Sequence, residues 1–347
     1  MTKLGEENEG MENLRLSVNQ GQVEGAGERL VELDWRSTGF ATFEAALPTR
    51  EPARLADYFF FNSALLFDFY NMETELDGEY VKGSDLFFIL ARQKAEQDPD
   101  FFSAAHLTSL TVPDYAALYA PDGDATHTLI NRAEERVTIL HDLAQGLLRD
   151  YEGSTLTLLA ACEGRLHTPE GTGLLDRLSR FEGYDDPHFK KAFVLLKFLD
   201  TLDLWHTVDI ENLFIPVDYH LIRMALRTGI VTVTDAELAE QLRRRSPATE
   251  ADDWEIREVV KRAYKALEAS SGVNVFILDE IFWTIGRSCC HYSRPPRCAN
   301  CDYTDCSVMK SFDYDCPGRC PLATTCLGAR DESYRGLFEP RLVTTYY

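Results

Sequence analysis

The chain has no long apolar run. No stretch approaches 18 consecutive hydrophobic residues, which argues against a membrane-spanning helix. The opening residues Met1-Thr2-Lys3-Leu4-Gly5-Glu6-Glu7-Asn8 lack the apolar core of a secretion signal, so the expected location is the cytoplasm. Basic residues are scarce: 35 Lys and Arg stand against 57 Asp and Glu, a net charge of −22. Duplex DNA binding draws its affinity from phosphate neutralisation. A chain this acidic is a poor generic DNA binder unless its arginines concentrate on one face. A salt-adapted proteome, sparing in lysine and rich in aspartate, would give the same acidity with no message about substrate. There is no internal repeat, and no low-complexity segment beyond the N-terminal tail. Cysteine is almost missing from the first 288 residues, where Cys162 stands alone.

The remaining eight cysteines crowd between Cys289 and Cys326. From Cys290 the spacing reads C-x7-C-x2-C-x4-C through Cys298, Cys301 and Cys306, and Cys316, Cys320 and Cys326 follow. In a reducing compartment such crowding points to metal ligands rather than disulfides. Four thiolates this close suit a 4Fe–4S cluster, with structural zinc as the alternative. The candidate ligands are Cys290, Cys298, Cys301, Cys306, Cys316, Cys320 and Cys326. The ligand set and the number of centres stay open at this point.

With 347 residues, 45% hydrophobic and 27% charged, the chain has room for a sizeable core. Residues 1–28 are polar, rich in Glu and Gly and without periodicity, which predicts an unstructured tail. An aromatic block follows, from Tyr58 to Tyr70. Phe67-Asp68-Phe69-Tyr70 alternates like a strand, and Leu76-Asp77-Gly78-Glu79-Tyr80-Val81 reads as a turn with a returning strand, so a small β-hairpin is expected here. From residue 85 onward the apolar spacing is helical, over 130–151, 188–200, 253–270 and 275–286. Thr234-Asp235-Ala236-Glu237 reads as a capping box. The expected fold is mainly α. A helical body of two lobes spans 29–287, with one small N-terminal hairpin, and a cysteine-rich loop and tail span 288–347.

One segment carries chemistry. Phe214-Ile215-Pro216-Val217 is an extended entry, since Pro216 keeps Ile215 out of the helical region. Asp218 stands where an N-cap belongs and Gly229 where the helix ends. A carboxylate fixed at a helix start can stabilise positive charge and activate water. The plain structural alternative is an N-cap and nothing more.

Val217-Asp218-Tyr219-His220, followed by Arg223, Arg227 and Gly229, resembles the V-D-T-H-x-x-R-x-x-x-R-x-G stretch of the helix-hairpin-helix DNA glycosylase superfamily. Its iron–sulfur branches carry a loop spaced C-x6-C-x2-C-x5-C, equal in total length to Cys290–Cys306. The chain lacks the L-P-G-V-G hairpin that offers backbone N–H groups to a DNA phosphate in that superfamily. A second resemblance covers residues 55–287. The queuosine-salvage nucleotide N-glycosylases share a related helical fold and lack both hairpin and cysteine loop. Their pattern is matched by Phe67-Asp68-Phe69-Tyr70, Gly78 to Gly83, Lys190-Lys191-Ala192, Val217-Asp218-Tyr219-His220-Leu221 and Tyr346-Tyr347. An acidic residue that this family uses to hold the base aligns with Ser63.

These resemblances imply an N-glycosidic bond hydrolase with a nucleotide or nucleoside substrate. They imply Asp218 as the catalytic carboxylate, and Lys191 as a second catalytic group or a 5′-phosphate contact. Phe67, Phe69 and Tyr70 would stack on the base, with His220 and Arg223 as further substrate contacts. One alternative is an iron–sulfur base-excision enzyme acting on nucleic acid. Another is a non-catalytic, metal-stabilised binding protein. The discriminator is whether Arg223, Arg227, Arg294 and Arg297 form a basic face with Asp218.

Overall fold

The computed structural model of the chain describes residues 15–33, 35, 47–70, 72–76, 78–302 and 306–347. The helical periods of the sequence become helix. The longer helices are α1 (Gln20–Glu32), α2 (Pro52–Ser63), α3 (Ser84–Gln97), α4 (Ala133–Asp150), α5 (Lys190–Thr201), α6 (Tyr219–Thr228), α7 (Ala236–Arg244), α8 (Glu250–Ser271) and α9 (Val275–Arg287). Strands are short: β1 (Leu16–Val18), β2 (Glu73–Leu76), β3 (Glu79–Lys82) and β4 (Val231–Val233). β2 and β3 form the antiparallel hairpin expected from the sequence, with Glu73 opposite Lys82 and Leu76 opposite Glu79. Phe67–Tyr70 stay outside it as irregular chain, so the strand-like alternation there reflects something other than pairing. None of the described helices is long and apolar enough to cross a membrane.

The chain divides into two compact units. One holds the described residues of Met1–Gly39 together with Val217–Val343. Its centre is α6, buried along nearly its whole length and packed against α8 and α9. Asp218 caps α6, its Oδ1 accepting the Leu221 N–H at 2.9 Å. At the other end Gly229 sits at φ +85°, and a Cβ there would lie 2.4 Å from Leu327 Cδ1. Only glycine accepts both the left-handed backbone and the close approach. The two ends of α6 are therefore set where the sequence placed them.

Two local expectations are corrected in this unit. The unstructured tail was drawn to residue 28, but β1 pairs antiparallel with β4, and α1 packs on α8 through Val23, Ala26 and Leu30. Those apolar positions recur at helical spacing, but the interleaved glycines conceal the stripe. Residues 1–14 lie outside the described residues. The cap of α7 is Asp235 and not Thr234: the Asp235 carboxylate accepts the Leu238 N–H at 2.7 Å. Asp is among the best capping residues, and the apolar register of α7 (Leu238, Ala239, Leu242) selects it.

The other unit holds the described residues of Phe40–Pro216 together with Thr344–Tyr347. Here α2 packs against α5, with Phe59 and Phe198 stacked at 4.5 Å between ring centroids. α4 buries Val137, Leu140, Leu143 and Leu147 as its spacing predicts. Most of the N-terminal aromatic block is core: Tyr58, Phe59, Phe60, Phe61 and Phe67 are all buried.

Candidate functional site

The aromatic unit contains an unusual charge arrangement. After α2 ends, five successive backbone carbonyls each accept from a buried cation. Lys191 Nζ donates to Ala64 O at 2.8 Å, Arg136 Nη1 to Leu65 O at 2.6 Å and Lys190 Nζ to Leu66 O at 3.1 Å. Arg136 Nη2 donates to Phe67 O and, at 3.4 Å, to Asp68 O. The C-terminal end of a helix carries partial negative charge, so cations are favoured there. Charge-assisted hydrogen bonds of this kind contribute about 1.5–3 kcal/mol each when well formed. Three cations together still carry a desolvation cost. Asp186, buried beside them, accepts the backbone N–H groups of His188 and Lys190 at 3.0 and 2.8 Å.

Lys191 feels this crowding. Burial, then the neighbouring Lys190 charge, bring its amine down to about 7, against the opposing pull of Asp186 and Asp185. Its placement alters the expectation drawn from sequence. With 1% exposure it is not, as placed, a group that reaches a substrate phosphate. It holds the chain that leaves α2.

Phe67 is likewise corrected as an open stacking wall. It is 1% exposed. Cations approach its ring from Arg136 at 4.0 Å, Arg132 at 4.9 Å and Lys191 at 5.2 Å. Such contacts suit the negative faces of an aromatic ring. Beyond it the chain rises to the surface: Asp68 and Phe69 are half-buried and Tyr70 is 65% exposed. Phe69 and Tyr70 are therefore the accessible aromatics of the motif. Arg136 was missed in the sequence. It lies four and seven residues before Leu140 and Leu143, on the apolar face of α4, and a charge at a core position is the signal that marks it.

In the other unit Asp218 is 7% exposed, and its Oδ1 holds the helix start. Its charge is felt at the buried Tyr264 hydroxyl, which burial first and then Asp218 push well above the ordinary range. Arg223, expected as a substrate contact, lies in the interior. Arg223 is fully buried and ion-paired with Glu339 at 2.8 Å. It also donates to Cys290 O at 2.9 Å, Gly286 O at 3.1 Å and His220 Nδ1 at 2.8 Å. A guanidinium so engaged has little left for a ligand. His220 is buried beside it. Its Nδ1 is taken by Arg223, and burial, then the Arg223 charge, push the imidazole well below its usual range, so it stays neutral. Arg227 is buried, with Nε on Leu337 O at 2.7 Å. Arg297 pairs with Asp302 at 3.3 Å. The arginine face that a DNA-binding reading requires is not built by Arg223 and Arg227, which serve the interior.

The cysteines group differently from their spacing. Arg227 links Cys290 and Cys326: its Nη1 donates to Cys290 Sγ at 3.3 Å, and its carbonyl accepts from Cys326 Sγ at 3.4 Å. Burial, then Cys290, raise the Cys298 thiol and push Cys326 up to about 12. Cys289 instead keeps company with Cys306, Cys320 and Cys301. Cys316 Sγ faces its own loop, 3.7 Å from Arg319 O. The run Cys290, Cys298, Cys301, Cys306 is thus divided between two neighbourhoods. Thiols are the right donors for iron–sulfur or zinc. Among the described residues, however, no three His, Cys, Asp or Glu side chains are gathered to hold a metal ion.

The fold and these groups define a helical protein with a buried-cation aromatic motif and a capped, enclosed carboxylate. Residues 46–296 match the family model described as queuosine salvage protein, and the chain belongs to that family. The match spans Phe67, Arg136, Lys191 and Asp218. No curated protein matches the chain in sequence. Among solved structures it is similar to the 8-oxoguanosine complex of an 8-oxoguanine DNA glycosylase from Pyrobaculum aerophilum. The two are 15% identical, with 86% of this chain and 98% of that chain covered and a TM-score of 0.44, a likeness too loose to carry substrate or mechanism.

Proposed function

We propose that the protein is a nucleotide N-glycohydrolase that releases the base from queuosine 5′-monophosphate or a closely related modified nucleotide. The observation that carries this reading is the family match over residues 46–296, which includes both Lys191 and Asp218. Breaking an N-glycosidic bond builds positive charge on the sugar. The Asp218 carboxylate, held at the start of α6 and largely withdrawn from water, stabilises that charge and activates the attacking water. An N-cap bond to Oδ1 is compatible with this role, because it fixes the orientation of the group. Lys191 fixes the chain that leads to Phe69 and Tyr70 through its bond to Ala64 O. The burial of Arg223 and Arg227, together with the net charge of −22, supports a small nucleotide over duplex DNA as substrate.

The test is base release followed by mass spectrometry. Queuosine 5′-monophosphate and a panel of damaged duplexes are offered to the protein and to Asp218→Asn. Release from the nucleotide, reduced by about 100-fold or more in the variant, is the expected result. Release from duplex alone would overturn the assignment.

A further inference from the structure

The first turns of α2, the last turn of α3 and the chain that follows to Ser103 line a cleft of about 210 Å³. It lies at the start of α2, at the opposite end of that helix from Ala64 and the cation-held carbonyls. Its floor is apolar. Tyr58 and Phe102 are buried there and meet edge to face, 5.3 Å between ring centroids. The Tyr58 hydroxyl is already engaged with Phe88 O at 3.3 Å.

Asp57 lines the same cleft and is half-buried. Its Oδ1 accepts the Thr155 N–H at 2.9 Å, one of the amides left free at the start of the helix Thr155–Ala160. Among the described residues no cation pairs with it. Arg54, one turn before it, also lines the cleft but is held by Glu51 at 3.2 Å and Asp100 at 3.0 Å. Glu96, exposed at the rim, meets Arg92 Nε loosely at 3.9 Å. Burial raises the Asp57 carboxyl against the pull of the Thr155 N–H. A carboxylate drawn out of water keeps its charge at a cost that a paired cation offsets.

We propose that this cleft binds a small primary alkylammonium ion: Asp57 accepts from the ammonium head, Glu96 adds negative charge at the rim, and the alkyl stem lies on Tyr58 and Phe102. The site is separate from the N-glycohydrolase reading and does not rest on it. An ammonium group brings several N–H donors and one positive charge to a carboxylate with an oxygen still available. The apolar floor favours an organic cation over a metal ion, which takes a shell of oxygen ligands. Among the described residues no three His, Cys, Asp or Glu side chains are gathered to supply such a shell. The volume also sets the size of the guest, since clefts for drug-sized ligands measure about 300–1,000 Å³.

The probe is n-propylammonium chloride, titrated into the whole chain by calorimetry and followed in parallel by the thermal midpoint. Potassium chloride and 1-propanol at equal concentrations are the controls. Asp57→Asn isolates the charge. Its amide oxygen still accepts the Thr155 N–H, so a purely structural Asp57 predicts unchanged binding. The expected dissociation constant is about 0.1–10 mM, the range open to so small a ligand. Asp57→Asn should weaken it about 10-fold or more, the loss of a charge-assisted pair, while the fold stays intact. Should that variant fail to fold, Glu96→Gln at the exposed rim reads the same attraction through a loss of about 2- to 5-fold, and unchanged affinity in it overturns the proposal. Equal affinity in the wild type and a folded Asp57→Asn overturns it as well. A response matched by 1-propanol would show apolar filling alone, and one matched by potassium chloride would show general salt screening; either removes the ammonium site. Absence of both heat and midpoint shift up to about 50 mM propylammonium also removes it.

Discussion

Lys191→Met tests the buried-cation motif through its pH dependence. In an unfolded chain a lysine titrates near 10.5, and in the fold the Lys191 amine is brought down to about 7. Between those values the unfolded state binds the extra proton. Stability contributed through this group is therefore lowest at and below pH 7 and rises with pH until the unfolded lysine also deprotonates near 10.5. Each pKa unit corresponds to about 1.4 kcal/mol. Moving from pH 7, where the folded amine is half-protonated, to pH 9 should stabilise the wild-type fold by about 2 kcal/mol through this residue. Methionine keeps the length and apolar character and removes the titration. Its carbonyl partner on Ala64 loses a donor, which lowers stability at every pH by about 1–2 kcal/mol. The assay is urea unfolding at several pH values between 6 and 9 for both proteins. The expected outcome is a difference curve that widens by about 2 kcal/mol toward alkaline pH. Parallel curves would show that Lys191 titrates near its ordinary value and that the enclosure described above does not hold.

Two positions in the other unit, Glu339 and Gly229, are probed next, with Gly78 as a control. Glu339→Gln leaves the fully buried Arg223 without its counter-charge and should cost about 3 kcal/mol in denaturant unfolding. A Glu339→Leu, Arg223→Met pair should cost less than the sum of the single changes, whereas additive losses would mean the ion pair is not coupled. Gly229→Ala meets both a left-handed φ of +85° and Leu327 Cδ1 at 2.4 Å, and should lower stability by about 2–3 kcal/mol. Gly78→Ala, at φ +82° in open space, should show the backbone cost alone, about 1 kcal/mol, and equal losses at the two sites would refute the steric argument.

Much of the body was legible in the sequence because local rules act locally. The helix from Tyr219 to Thr228 was bounded by an aspartate cap and a terminating glycine, and those residues set its ends in the fold. The turn and returning strand around Gly78 were legible, but their partner is Glu73–Leu76 and not the alternating Phe67–Tyr70 run. α1 was lost because glycines interrupt its apolar stripe, and its helicity is secured by packing on α8, a contact some 230 residues away in sequence.

The sequence by itself determined the helical class, the queuosine-salvage pattern and the positions of the chemically able residues. The assignment of those residues to interior or surface was decided by tertiary structure. Arg223 and His220 looked like substrate contacts because spacing reports which face of a helix a residue shares, and does not report what covers that face. Glu339, 116 positions downstream of Arg223, supplies the charge that turns the arginine inward. Phe67 and Tyr70 are three residues apart in one aromatic run, yet one is enclosed by three cations and the other exposed. The cysteines of the spacing motif likewise part company, because adjacent Cys290 and Cys289 take different neighbours. In each case the deciding partner arrives from a distant segment, and burial with its charge compensation is a property of the assembled core.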